Sequence, residues 1–201
     1  YPRPLIQSKG IKYKKFWRTI FVITMAVPQF VSLLIMRNLL NDAGPINSIL
    51  MNLGWIKSAI PFLTDPLMAK ITVIIVNMWI GIPVTMLVST GIIQNLDRDQ
   101  IEAAEIDGAN KFQIFRSITF PQILFVMTPA LIQQFIGNIN NFNVIYLLTG
   151  GGPSNSDFYG AGSTDLLVTW LYNLTVNTMD YNLASVIGIL IFILSAVFSL
   201  I

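Results

Sequence analysis

Long apolar runs alternate along this chain with short polar stretches, and four of the runs, at about 19–40, 71–93, 123–148 and 181–201, are long enough to cross a membrane. A helix over the eighteen residues 19–36, between Arg18 and Arg37, rises about 27 Å, close to the thickness of a bilayer core. The pattern predicts an all-α polytopic membrane protein with four spans. The first run contains Pro28 and Gln29, and a proline there kinks the helix and frees a backbone carbonyl that lipid cannot satisfy, so that point is expected to pack against other helices. The second run is uncharged but is interrupted by Asn77, Gly81 and Pro83. Between these two, residues 37–70 read as an outer segment with a short interfacial helix around 45–53 and with Trp55 at the membrane boundary. After the third run, the stretch 149–155 is rich in glycine and is expected to be a flexible turn, and the apolar stretch 166–174 is expected to lie in the interface.

The segment 97–121 is the one charged, helix-rich stretch between two spans. Asp99 is placed to cap a helix, with Glu102 three residues later, as in a capping box. Good helix formers fill 100–107, and Gly108 suits a left-handed helix end. Ala109, Phe112, Phe115 and Ile118 then recur near helical spacing before Pro121, an expected break. The reading is two short helices joined at a glycine with an apolar ridge. Such a ridge in water is costly, so it faces either a protein partner or, as an amphipathic connector, the lipid surface.

Composition narrows the chemistry. Of 201 residues 54% are hydrophobic and only 11% charged, less than half the charged share of an ordinary soluble domain. There is no cysteine and no histidine, which removes thiolate metal sites, disulfides and histidine-based catalysis. The N-terminal cluster of Arg3, Lys9, Lys12, Lys14, Lys15 and Arg18 could bind nucleic acid in isolation. Beside an apolar span it reads instead as an inner flank. With the N-terminus inside, those six cations plus Arg98, Lys111 and Arg116 lie inside, against Arg37, Lys57 and Lys70 outside, so charge bias places 97–121 in the cytoplasm. The chain starts at Tyr1 with nothing like a signal peptide, and the expectation is that the protein's own start lies before it.

Polar side chains within the spans carry the candidate binding chemistry. Gln134, Gly137, Asn138 and Asn141 share one helical face, and Asn77, Gly81 and Val84 have similar spacing in the second span; Gln29 follows the proline of the first. Amides both donate and accept, which suits sugar hydroxyls, and no charged side chain is offered at that depth for an ion. The alternative is that these amides bond helix to helix and touch no substrate. Asn140 and Asn143 point elsewhere and are assigned to packing.

Glu102-Ala103-Ala104, Asp107-Gly108-Ala109, Phe115, Ile118 and Pro121 together closely resemble the cytoplasmic "EAA" loop of permease subunits of ABC importers. The chain departs from that pattern at Asp97, where the family often has proline, and at Phe120, where it often has leucine. Ala26-Val-Pro-Gln29, Ile75-Val-Asn-Met-Trp79, Asn140-Asn-Phe142, Leu147-Leu-Thr-Gly-Gly-Gly-Pro153 and Thr164-Asp-Leu-Leu-Val168 resemble the larger permease subunit of maltose and maltodextrin importers. The resemblance runs from about Lys12 to the end and implies a type I importer transmembrane domain over 1–201, of whose six-helix core four helices are present.

It further implies that Glu102, Ala103, Ala104, Asp107, Gly108, Ala109 and Phe115 couple to an ATPase, and that Gln29, Asn77, Gly81, Gln134, Asn138 and Asn141 contact the sugar. The implied partners are a second homologous permease, two ATPase subunits and an extracellular sugar-binding protein. The implied place is the cell membrane. This chain would hydrolyse nothing and carry no cofactor, ATP and magnesium belonging to the ATPase. Met25 and Val84 stand where maltose permeases can have tyrosine, and Gln29 and Gln134 where they can have serine, which leaves the sugar open. Two other classes fit parts of the pattern: a channel or secondary transporter, which also uses broken helices, and an intramembrane enzyme with a metal on Asp97, Asp99 and Asp107.

Overall fold

The computed structural model describes residues 16, 19–20, 26–94 and 98–200. Its regular elements are helical: α1 Gln29–Leu39, α2 Pro45–Asn52, α3 Pro66–Gln94, α4 Arg98–Ile106, α5 Lys111–Ile114, a π-helical turn Phe115–Thr119, α6 Phe120–Ile139, α7 Phe142–Leu148, a 3-10 turn Ser156–Phe158, α8 Leu167–Val176 and α9 Tyr181–Ser199. Among the described residues, three helical stretches are long and apolar enough to cross a membrane: Pro66–Ile93, Lys111–Leu148 and Tyr181–Ser199. The first expected span is described only in part. The basic cluster before it, Met25 and Asp97 lie outside the described residues. Pro28 sits at φ −54°, ψ 135° and serves as the N-cap of α1, so it begins a helix where a kink within one was expected.

The chain forms two compact units, residues 1–26 with 81–134, and residues 27–80 with 135–201. The second unit is built on Leu33, Val76, Val144 and Leu148, where α1, α3 and α7 meet, with Met36, Leu63 and Val73 packed against them. A second cluster of Leu174, Ala184 and Ile187 joins α8 to α9. The segment after α1 is held by Asn47, which is fully buried. Its amide donates to the carbonyls of Ile60 (3.0 Å) and Asn41 (3.3 Å) and accepts from the Ile60 N–H at 2.9 Å. Helix α3 starts five residues before the expected span because Asp65 caps it. The Asp65 carboxylate accepts from the N–H groups of Leu67 (3.0 Å) and Met68 (2.9 Å), and Pro66 occupies the first helical position, where its missing N–H costs nothing.

The glycine-rich stretch expected to be flexible is tied down instead. Thr164 donates its hydroxyl to the Gly152 carbonyl at 2.6 Å, and the Asp165 carboxylate accepts from the Gly162 N–H at 2.8 Å. Gly151 is buried at φ 85°, and a Cβ there would collide with the Asp165 carboxylate. Helix α9 is capped by Asp180, which accepts from the Leu183 N–H at 3.1 Å.

In the first unit, Ile101 and Ile114 are the buried side chains between α4 and the α5–π segment. Pro121 does not end a helix, against the expected break. The helix runs from Lys111 through Phe115–Thr119 in π geometry into α6. The Phe120 N–H bonds to the Phe115 carbonyl five residues back, and this wider turn accommodates the register around a residue that has no N–H to give.

Candidate functional site

Two groups of residues answer to the expected sites, a helix–glycine–helix loop in the first unit and a chain of amides in the second.

Helix α4 ends at Gly108 with φ 81°. The Ala109 N–H bonds the Ala104 carbonyl at 3.0 Å and the Gly108 N–H bonds the Glu105 carbonyl at 3.1 Å. These are the two hydrogen bonds of a Schellman closure, which needs a left-handed residue at the position Gly108 holds. Ala104 and Ala109 are thereby brought to the ends of one hydrogen bond, where small side chains fit. Asp99 falls within the first turn of α4, where its carboxylate supports the helix through the dipole and does not stand at the cap position. The side-chain cap in this loop is Asn110. Its side chain accepts from the N–H groups of Phe112 (3.0 Å) and Gln113 (2.9 Å), while Gln113 accepts from the Asn110 N–H at 2.8 Å. The Asn-x-x-Gln spacing of that capping box was legible in the sequence.

Glu102, Ala103, Asp107 and Phe115 are exposed, and Ala104 and Ala109 half-buried. Of the expected ridge Phe112 is 69% exposed. Ile106, which the sequence reading passed over, is 86% exposed on the last turn of α4. An open cavity of about 420 Å³ is lined by Asp107, Gly108, Ala109, Gln113, Ile114 and Ser117 among others. The loop therefore offers carboxylates, a left-handed turn and apolar side chains around one depression. Among the described residues no group of three or more acidic side chains is placed to hold a metal.

The amides of the second unit are ordered head to tail. Asn141 donates its amide to the Asn77 carbonyl oxygen at 2.9 Å, and Asn77 donates to the Asn138 carbonyl oxygen at 2.9 Å. Asn141 is also the N-cap of α7, accepting from the Val144 N–H at 3.3 Å. The expected third span is thus not one α-helix. It breaks at Asn140 and Asn141 because an asparagine side chain takes over the backbone donor that a continuous helix would bond internally. Asn138 is exposed, and its side-chain carbonyl accepts the Asn77 amide. Gln29 is exposed on the first turn of α1 and stands outside this chain of bonds. Asn140 packs as expected, donating to the Ser195 hydroxyl of α9 at 3.0 Å.

Gly81 and Gln134 belong to the first unit. The Gln134 amide lies 3.6 Å from where a Gly81 Cβ would stand, and it donates to the Thr85 hydroxyl at 3.1 Å. Thr85 in turn donates to the Gly81 carbonyl at 3.0 Å. Thr85 is a polar neighbour that the sequence reading missed, and its position one turn after Gly81 is the signal for it. Asn77, Asn141 and Gln134 each spend a hydrogen bond on a neighbouring helix.

Next to Asn141, α7 carries an aromatic group. Phe142 and Tyr146 stack at 4.9 Å between ring centroids, and Tyr172 of α8 meets both edge-on at 5.1 Å. The Tyr172 phenol is held above its ordinary value, first by its hydrogen bond to Tyr146.

Comparison with known proteins adds the family. The chain is 41% identical over 188 residues to the galactooligosaccharides transport system permease protein GanP of Bacillus subtilis (strain 168), covering 93% of this chain and 44% of that protein. It is 42% identical over 192 residues to the maltodextrin transport system permease protein MalC of Streptococcus pneumoniae (strain ATCC BAA-255 / R6), covering 92% and 44%. It is 40% identical over 202 residues to the maltose/maltodextrin transport system permease protein MalF of Vibrio parahaemolyticus, covering 98% and 38%. The chain spans less than half the length of these relatives. Among solved structures, a bacterial ABC transporter involved in the import of the acidic polysaccharide alginate matches with a TM-score of 0.70 at 24% identity, over 96% of this chain and 64% of that one, which establishes the shared fold. The family model described as binding-protein-dependent transport system inner membrane component matches residues 5–201, and the chain belongs to that family.

Proposed function

We propose that this chain is part of a permease subunit of an ATP-driven importer of neutral oligosaccharides of the maltodextrin or galactooligosaccharide kind. The observation that carries the reading is the Schellman-closed loop at Gly108, with exposed Glu102 and Asp107 and exposed apolar Ile106 and Phe112 beside an open depression. A surface of this kind suits a protein partner, and the identities of 40–42% to sugar permeases support an ATPase subunit in that place. In this reading the loop lies in the cytoplasm, Glu102 and Asp107 pair with basic groups or backbone donors of the ATPase, and Phe115 adds apolar contact. Closure of the ATPase dimer on ATP moves the loop, and helix α3 and the interrupted α6–α7 pass the movement to the amides. The amides of Asn77, Asn138 and Asn141, with Gly81, Gln134 and Gln29, meet sugar hydroxyls, and no ion is required. A second homologous permease, two ATPase subunits and an extracellular sugar-binding protein complete the assembly, and hydrolysis of ATP takes place outside this chain.

The test is Gly108→Val in the full transporter. A β-branched residue held at φ 81° is strained by about 1–2 kcal/mol, so the variant opens the Schellman turn. The expected result is loss of ATPase co-purification and of sugar uptake with the protein still present in the membrane. Normal uptake by a stable Gly108→Val protein would sink the docking role.

A further inference from the structure

We infer that the Phe142–Tyr146–Tyr172 group is a stacking subsite for a sugar ring, with Tyr146 as its platform. The inference rests on the oligosaccharide reading above and adds to it a residue and a mode of contact. Sugar rings are two-sided ligands: their edges carry hydroxyls, and their faces carry C–H groups that pack on aromatic rings. The amides supply partners for the edges only. A polar pathway that holds a neutral oligosaccharide by hydrogen bonds alone leaves the apolar faces of the sugar in water or against amides.

The structure provides the missing surface directly after the amides. Asn141, which bonds Asn77, is the N-cap of α7, and Phe142 is the first residue of that helix. Tyr146 lies one turn further, about 7–8 Å along the helix from Asn141. Val144, Ile145 and Leu148 of the same helix are buried, so α7 gives its other side to the rings. Phe142 backs Tyr146 with nearly parallel rings, at an interplanar angle of 18°, and Tyr172 meets both at 66° and 72°. Held between these neighbours, Tyr146 is still 41% exposed. A ring fixed by packing and open on one part of its surface binds with little loss of side-chain freedom, which is the condition for a preformed platform. No charged residue belongs to the group, which suits a neutral ligand.

The experiment uses the transporter assembled with its ATPase, second permease and binding protein in proteoliposomes, with maltotetraose and galactotetraose as probes. Tyr146→Ala is expected to lower oligosaccharide uptake on the order of tenfold, whereas Tyr146→Trp, which keeps an aromatic face, retains most of it. A second measurement does not depend on transport. These 201 residues contain no cysteine, so Tyr146→Cys introduces the one thiol among them, which a water-soluble maleimide can label. Either probe sugar is expected to slow that labelling, and to leave labelling of a Tyr159→Cys variant, at a position 85% exposed on the loop before α8, unchanged. Uptake by Tyr146→Ala equal to the parent, or labelling of Tyr146→Cys at one rate with and without sugar, overturns the subsite and leaves the importer reading standing. A parent transporter that carries neither probe overturns the oligosaccharide reading and the subsite with it.

Discussion

Asn77 has to satisfy two neighbours at once, accepting from Asn141 and donating to Asn138. Replacing it with leucine, similar in size and apolar, strands one amide hydrogen and one carbonyl oxygen on its partners. Each unsatisfied group away from water costs about 1–3 kcal/mol, reduced in a membrane where displaced groups find other partners. Asn77→Leu is therefore expected to lower the Tm of the detergent-solubilised complex and to lower uptake, while Asn77→Gln, which keeps both functions on a longer arm, restores part of each. Thermal melts and uptake measured on the same preparations check this. The presence of amides in the spans was readable residue by residue. Their pairing was not, because a helical face says which residues look the same way and says nothing of which hydrogen bonds they will prefer. The periodicity of Gln134, Asn138 and Asn141 suggested one face, yet Gln134 bonds Thr85 and the two asparagines bond Asn77.

Helices begin and end here largely by local chemistry. Asp65 before Pro66, Asn110 before Lys111 and Asp180 before Tyr181 each place a side-chain acceptor where the first N–H groups are unpaired. The same rule misread Asp99, which has capping chemistry but lies within the first turn of α4. It also failed at Pro121, where a π turn absorbs what would otherwise be a break. In the segment between α1 and α3, Asn47 ties residues 41 and 60 together. Asn47→Ala removes the bonds to Asn41 and Ile60 and leaves the Ile60 N–H without its partner. The expected cost is about 2 kcal/mol, felt locally, so limited proteolysis of the Asn47→Ala protein should cut within 53–62 well before the parent is cut. Equal cutting rates would mean that the segment is held by other contacts.

The placement of the chain across the bilayer makes the widest prediction. Apolar runs and the bias of lysine and arginine put residues 97–121 on the cytoplasmic side. Since cysteine is absent, Glu102→Cys can be labelled selectively on this chain. A membrane-impermeant maleimide is expected to label it in inside-out vesicles and not in intact cells, with protection when the ATPase is bound. Labelling from the outer surface would overturn the orientation and, with it, the coupling mechanism.

Membrane class, the positions of the apolar stretches, the glycine at the end of α4 and the family resemblance all came from the order of residues. They could do so because each depends on local composition or on spacing within one helix, and water, lipid and backbone sterics act on those directly. Tertiary structure alone decided which amides bond each other, that Gly151 is closed over by Asp165 where a loose turn was expected, that the third span is broken at Asn141, and that Tyr146 is backed by Phe142 and Tyr172. These arrangements depend on residues far apart in the chain, such as Asn77 and Asn141 or Tyr146 and Tyr172, meeting at hydrogen-bond or ring-contact distance. That meeting is set by how the helices pack, and packing is a property that no single segment carries.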